Sequence, residues 1–155
     1  MTFKSDYYSL SELTYSDTAI RLDIKNIPSD TQIENLSWLC AKILDPLTNK
    51  IGHRLTFTSG FRCKPLNLAI GGAINSDHMQ GRASDIICAG MTVDVLMNYI
   101  INGTGLPFDQ LIYEFGKWLH ISYDITKPRQ RGEILMAVKE NGVTVYKPYK
   151  GAISG

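Results

Sequence analysis

The sequence has 155 residues, 44% of them hydrophobic and 20% charged, with 16 Lys+Arg against 15 Asp+Glu. That length and balance give one globular domain with a core of its own and exclude a disordered or low-complexity chain. The formal net charge of +1 lacks the basic excess of a dedicated nucleic-acid binder.

No apolar run approaches the roughly 18 residues of a membrane span. The opening MTFKSDYYSLSEL holds no apolar stretch of a secretory signal, so the expectation is a protein made in the cytoplasm and not exported by the general route. In chain order, Ser29–Ile51 reads as the main helix. Ser29 and Gln32 form a capping box. Leu36, Leu39, Cys40, Ile43 and Leu47 fall on one stripe. Pro46 lacks an N–H, so the helix must kink or restart there. Leu55–Thr58 is a short strand, and Lys64–Ile70 a short helix ended by Gly71-Gly72. Ala83–Cys88 is a second strand. Thr92 caps a helix running to Asn102, with Val93, Leu96, Met97 and Ile100 inward.

The last third reads as sheet. Gln110–Phe115 and Trp118–Tyr123 are rich in strand formers around Gly116, and Ile134–Lys139 and Val143–Tyr146 flank the hairpin signal Asn141-Gly142. Helices first and strands later predict an α+β class, with helices packed on an antiparallel sheet. From Lys117 to Lys150 there are seven Lys/Arg against three Asp/Glu. That excess reads first as a solvated face and second as attraction to an anionic polymer.

Cys40, Cys63 and Cys88 are odd in number, widely spaced and without a C-x-x-C pair. They fit neither a disulfide framework nor a thiolate metal site and read as small buried hydrophobes. A nucleophilic role for Cys63 has no activating neighbour in sequence.

The histidines are His53, His78 and His120. On strand 83–88, Ala83, Asp85 and Ile87 share a face. A carboxylate at such a position is costly unless something positive meets it, and a loop through Gly81 can fold His78 back beside Asp85. His120 stands between Leu119 and Ile121, and a turn at Gly116 brings Glu114 toward it. His78, Asp85 and His120 make a two-His, one-carboxylate set of the kind that holds catalytic zinc. Glu114 then stands as the proton acceptor. By spacing alone, His78 as a loop hydrogen-bonder and His120 as a core histidine stay open. HExxH, the G-x-S-x-G elbow and the phosphate-binding glycine motifs are absent.

At these residues the sequence resembles the zinc DD-peptidase family, the D-Ala-D-Ala carboxypeptidases and L-alanyl-D-glutamate endopeptidases that cut bacterial peptidoglycan stem peptides. It looks most like the short phage-type branch. The matching text is TSGFRCKPLNLAIGGAINSDHMQGRASDI and FDQLIYEFGKWLHIS, with TYSDTAIRLDIKNIPSDTQIENLSWLCAKILDPL similar to the family's leading helix region. Ser-Gly-aromatic-Arg, Ser-x-His-x6-Asp and Glu…Trp-x-His occur in order, and the likeness covers about residues 9–148 of one domain spanning 1–155.

The resemblance implies a hedgehog/DD-peptidase-like fold, zinc on His78, Asp85 and His120, substrate contacts from Arg62 and Ser76, and catalysis by Glu114 with Arg62. Trp118 flanks the site as an apolar wall or packs in the core. Ser76 reads equally as a turn residue and Arg62 as a salt-bridge partner. The implied protein is a monomeric phage or prophage endolysin that acts on the cell wall after release, with no nucleic-acid partner.

Many relatives carry His-x-His at the second ligand, or a glutamate three residues before it. Here Trp118 holds that pair position and the glutamate lies six residues before. The hedgehog signalling domain shares this six-residue spacing and binds zinc without established peptidase use. The rival is therefore a non-catalytic zinc module for binding or virion structure.

Overall fold

A computed structural model describes residues 2–151. It is a single α+β domain built on one six-stranded sheet. The elements, in chain order, are α1 (Leu10–Thr14), α2 (Asp17–Arg21), α3 (Asp30–Leu39), α4 (Asp45–Ile51), β1 (Thr56–Ser59), α5 (Lys64–Ala69), β2 (Ala83–Ile87), α6 (Val93–Gly103), β3 (Gln110–Glu114), β4 (Trp118–Ser122), β5 (Glu133–Glu140) and β6 (Val143–Pro148). Among the described residues no helix is long and apolar enough to cross a membrane.

The Ser29–Gln32 capping box is present at the start of α3, and the predicted stripe Leu36, Leu39, Cys40, Ile43 and Leu47 is fully buried. The restart expected at Pro46 is observed: α4 begins at Asp45, with Pro46 in its first turn. A π-helical turn, Cys40–Leu44, joins α3 to α4, and the Asp45 N–H reaches back five residues to the Cys40 carbonyl. The wider turn makes room for the proline ring, and the ladder loses only the bond that Pro46 cannot donate. The short helices α1 and α2 went unread in the sequence, although Ser9 and Glu12 form a capping box at α1 and Ser16 caps α2.

The sheet order is β1-β2-β4-β3-β5-β6. The expected all-antiparallel sheet is corrected at one pair: β3 and β5 run parallel. β4 returns antiparallel along β3, and the chain then rounds the start of β3 to lay β5 on its other side. Two reversals give the same direction, so the intervening strand is itself the crossover. The rounding loop is held by Asp109, which accepts from Lys127 Nζ at 2.7 Å and Arg131 Nη2 at 2.8 Å.

Alternation along the strands divides the sheet into two faces. One carries Ile86, Leu111, Leu119 and Ile121 and meets Leu36, Leu39 and Ile43 of the long helical segment and Leu96, Met97 and Ile100 of α6 in the main core. The other carries Asp85, His120, Glu114 and Trp118, brought side by side by the pairings Asp85↔His120 and Glu114↔Trp118.

Candidate metal centre

His78 sits in a single 3-10 turn, Asp77–Gln80, whose position is fixed by α3. Gln32 Nε2 donates to the Met79 carbonyl at 3.0 Å, and Asn35 Nδ2 to the Gln80 carbonyl at 2.8 Å. The turn closes on Gly81 at φ +72°, where an added Cβ would lie 2.5 Å from the Gln32 carbonyl oxygen. Only glycine lets the loop lie this close to the helix. The Ser76 hydroxyl oxygen caps the turn, accepting from the His78 N–H at 3.2 Å.

The segment Ser59–Arg62 runs past this turn, with the Arg62 N–H bonded to the His78 carbonyl at 3.1 Å and the Phe61 N–H to the Leu13 carbonyl at 2.7 Å. A Cβ at Gly60 would stand 2.1 Å from that same Leu13 oxygen. This crowding accounts for the glycine of the Ser-Gly-aromatic-Arg motif. The Gly60 carbonyl lies 2.8 Å from His78 Nδ1. A carbonyl only accepts, so Nδ1 carries the proton and a neutral His78 offers a bare Nε2.

That Nε2 lies 3.2 Å from Asp85 Oδ1 and 3.2 Å from His120 Nδ1, and Asp85 Oδ1 lies 3.3 Å from His120 Nδ1. All three residues are buried, and their donor atoms form the cluster suited to a metal ion among the described residues. The spacings test the fit. Zinc ligands at about 2.0–2.1 Å in a tetrahedron stand about 3.3–3.4 Å apart, close to each edge of this triangle. Burial alone would raise the Asp85 carboxyl, but the neighbouring His78 and His120 outweigh it and hold it below the usual carboxylate range.

Glu114 ends β3 and Trp118 begins β4. Between them Phe115 and Gly116 adopt φ +58° and +69°, and the Lys117 N–H bonds the Glu114 carbonyl at 3.0 Å, a type I′ turn. Gly116 marks the turn in the sequence; Phe115 in the left-handed region carries no such signal. The turn lets the Trp118 indole N–H donate to Glu114 Oε2 at 3.1 Å, while Oε1 stands 3.8 Å from His120 Nδ1. Trp118 thus orients the carboxylate as well as walling the site. Burial, and then the charge of Asp85, push the Glu114 carboxyl above its ordinary value against the opposing pull of His120, Trp118 and Arg62.

Arg62 is half-buried, and its Nε is buried with no hydrogen-bond partner among the described residues. It appears in none of the salt bridges there. Burial pulls its pKa down while Asp85 and Glu114 pull it up. A cation so placed lacks the partner that a structural salt bridge would supply. Asn26, which the sequence reading passed over, braces the Arg62 segment by donating to the Thr14 and Phe61 carbonyls and accepting from the Cys63 N–H.

Arg62, Asp85 and Trp118 open on a cleft of about 530 Å³. A larger hollow, about 770 Å³, lies along Trp38 and Asp45 and shares no residue with the donor cluster. His53 is exposed and binds the Arg54 carbonyl, outside the cluster. The cysteines are free, and burial pushes the Cys40 thiol up to about 12, as expected of a packed hydrophobe. Of the basic residues from Lys117 on, Lys127, Arg131 and Lys147 pair with carboxylates, which consumes part of the local excess.

A family model described as Peptidase M15 matches residues 6–122. No curated protein matches the chain. The matched stretch includes all three donor residues, Arg62 and Glu114, and ends at the last residue of β4.

Proposed function

The chain belongs to the peptidase M15 family, and from that premise we propose that residues 1–155 form one zinc peptidase domain that hydrolyses an amide bond in bacterial peptidoglycan stem peptides, as a monomeric phage or prophage endolysin. One observation carries the reading: a buried triangle of two imidazole nitrogens and a carboxylate oxygen with edges of 3.2–3.3 Å, beside the Glu114 carboxylate, which pairs with no Lys or Arg among the described residues.

His78 Nε2, His120 Nδ1 and Asp85 are the residues that would hold the metal. Zinc bound there supplies Lewis-acid polarisation of a carbonyl and acidification of water. Gly60 keeps the His78 proton on Nδ1 and so keeps Nε2 available. Glu114 takes the proton of the attacking water and returns it to the leaving amine. Its raised pKa brings it nearer the neutral range in which a carboxylate can do both, and the Trp118 indole fixes which oxygen faces the reaction. Arg62 directs its guanidinium at oxygen: the developing oxyanion or a substrate carboxylate. Ser76 caps the turn that carries His78 and keeps a hydroxyl proton to donate to the substrate.

Lysis of purified cell walls with and without a chelator tests the reading, with the released fragments weighed by mass spectrometry. Lysis that chelator stops and zinc restores, with a new amine and a new carboxyl at one amide bond, is the expected result. Intact walls at full zinc loading would favour the non-catalytic module.

A further inference from the structure

The cleft beside the donor cluster is lined by charges of both signs. Asp85 is a donor of the cluster, which leaves Arg62 and Asp17 as the charged side chains that line the cleft outside it. Asp17, like Arg62, is in none of the salt bridges among the described residues. It is the first residue of α2, where a carboxylate suits the helix dipole. That position does not explain its second feature, a hydrogen bond from the Tyr15 hydroxyl to Oδ1. Tyr15 and Asp17 are both exposed, so the pair is an oriented carboxylate beside an aromatic ring, open to the cleft. Carboxylate plus aromatic face is the combination that binds an ammonium group. Leu66 and Ile70 line the same cleft and offer apolar contact to an aliphatic arm.

We infer that this cleft is a subsite for a stem peptide carrying a primary amine on a short aliphatic side chain, with the ammonium on Asp17 and Tyr15 and a carbonyl or carboxylate oxygen on Arg62. The inference rests on the peptidase reading above and adds to it which stem peptides are preferred. The diamino acid of a stem peptide meets this description while its side-chain amine is free. Once that amine is cross-linked or acylated, the charge is gone. The subsite therefore selects uncross-linked stems over cross-linked ones.

The test is a competition. Muropeptides released from walls by a glycosidase are mixed with the same muropeptides acetylated at their free amines, and the zinc-loaded protein is added. Mass spectrometry follows the consumption of each pair. Wild type should consume the free-amine members about fivefold faster, the scale of a partly exposed ion pair. Asp17→Asn should abolish the preference by slowing the free-amine members alone, at unchanged zinc content and with a melting temperature lower by no more than a few degrees, the scale of the lost charge at the start of α2. Asp17→Glu should restore part of it. Asp17→Lys should prefer muropeptides succinylated at the amine. Equal consumption of both members by wild type, or an equal slowing of both by Asp17→Asn, would overturn the subsite while leaving the peptidase reading intact. No consumption of either member, together with intact walls, would overturn both.

Discussion

Asp85 and Asp109 are both buried carboxylates, and both are held below the usual range, yet they are answered differently. Burial alone would raise the Asp109 carboxyl, but hydrogen bonds from Arg131 and Lys127 bring it down, and these cations keep their charge at any ordinary pH. Asp109 thereby ties the loop after β4 to the start of β3. Asp85 is met by two imidazoles, one with its proton committed to Gly60. A histidine is not a permanent cation as Lys and Arg are, whereas a divalent ion would carry its charge at any pH. A carboxylate answered by permanent cations is a structural tie; one answered only by histidines leaves a place for a metal. The two sheet faces repeat the contrast, one closed by apolar packing and the other keeping polar groups that folding alone would not gather.

His78→Ala and His120→Ala each remove a donor from the Asp85 cluster, and wall lysis should fall to background in both, measured as loss of turbidity of purified walls. Glu114→Gln keeps the shape and the indole hydrogen bond but cannot take a proton. At matched zinc loading it should lose about 10²-fold or more in rate. Activity like wild type would remove Glu114 from the mechanism.

Arg62→Lys keeps the charge and loses the planar fork, so activity should drop about tenfold with zinc content and melting temperature near wild type. An equal rate would return Arg62 to a purely structural role.

Asp109→Asn should act on stability alone. Its partners are about a third to a half exposed and can return to water, so the expected cost is about 1–2 kcal/mol by denaturant titration, below that of breaking a fully buried pair. Because the folded-state pKa of Asp109 is depressed, its contribution is present above the unfolded value of about 3.9 and is lost as pH falls below it. The gap between wild type and variant should therefore close on acidification below about pH 4, with activity per folded molecule unchanged at neutral pH.

The parts legible in the sequence are those fixed by neighbours along the chain. The Ser29–Gln32 box, the Leu36–Leu47 stripe and the Asn141-Gly142 hairpin depend on spacings of a few residues, and each stands where the spacing put it. His78, Asp85 and His120, with Glu114 beside them, were suggested by strand alternation and the turns at Gly81 and Gly116 and singled out only by the family resemblance; the β2–β4 pairing that sets Asp85 beside His120 carried no signal in the sequence. The Gly60 carbonyl on His78, the Asn26 brace and the place of Tyr15 and Asp17 on the cleft were not legible, because each joins segments far apart in the chain and has no period to betray it. The parallel β3–β5 pair was hidden for the same reason: its direction is set by a loop held by Asp109, and a lone Asp carries no sign of its partners.

Zinc content tests the contrast between the two aspartates most directly. Elemental analysis of purified wild type, Asp109→Asn and Asp85→Ala should find one zinc per chain in the first two and little in the third, with all three folded by circular dichroism. One zinc per chain in Asp85→Ala, or none in wild type purified without chelator and offered zinc, would contradict the account.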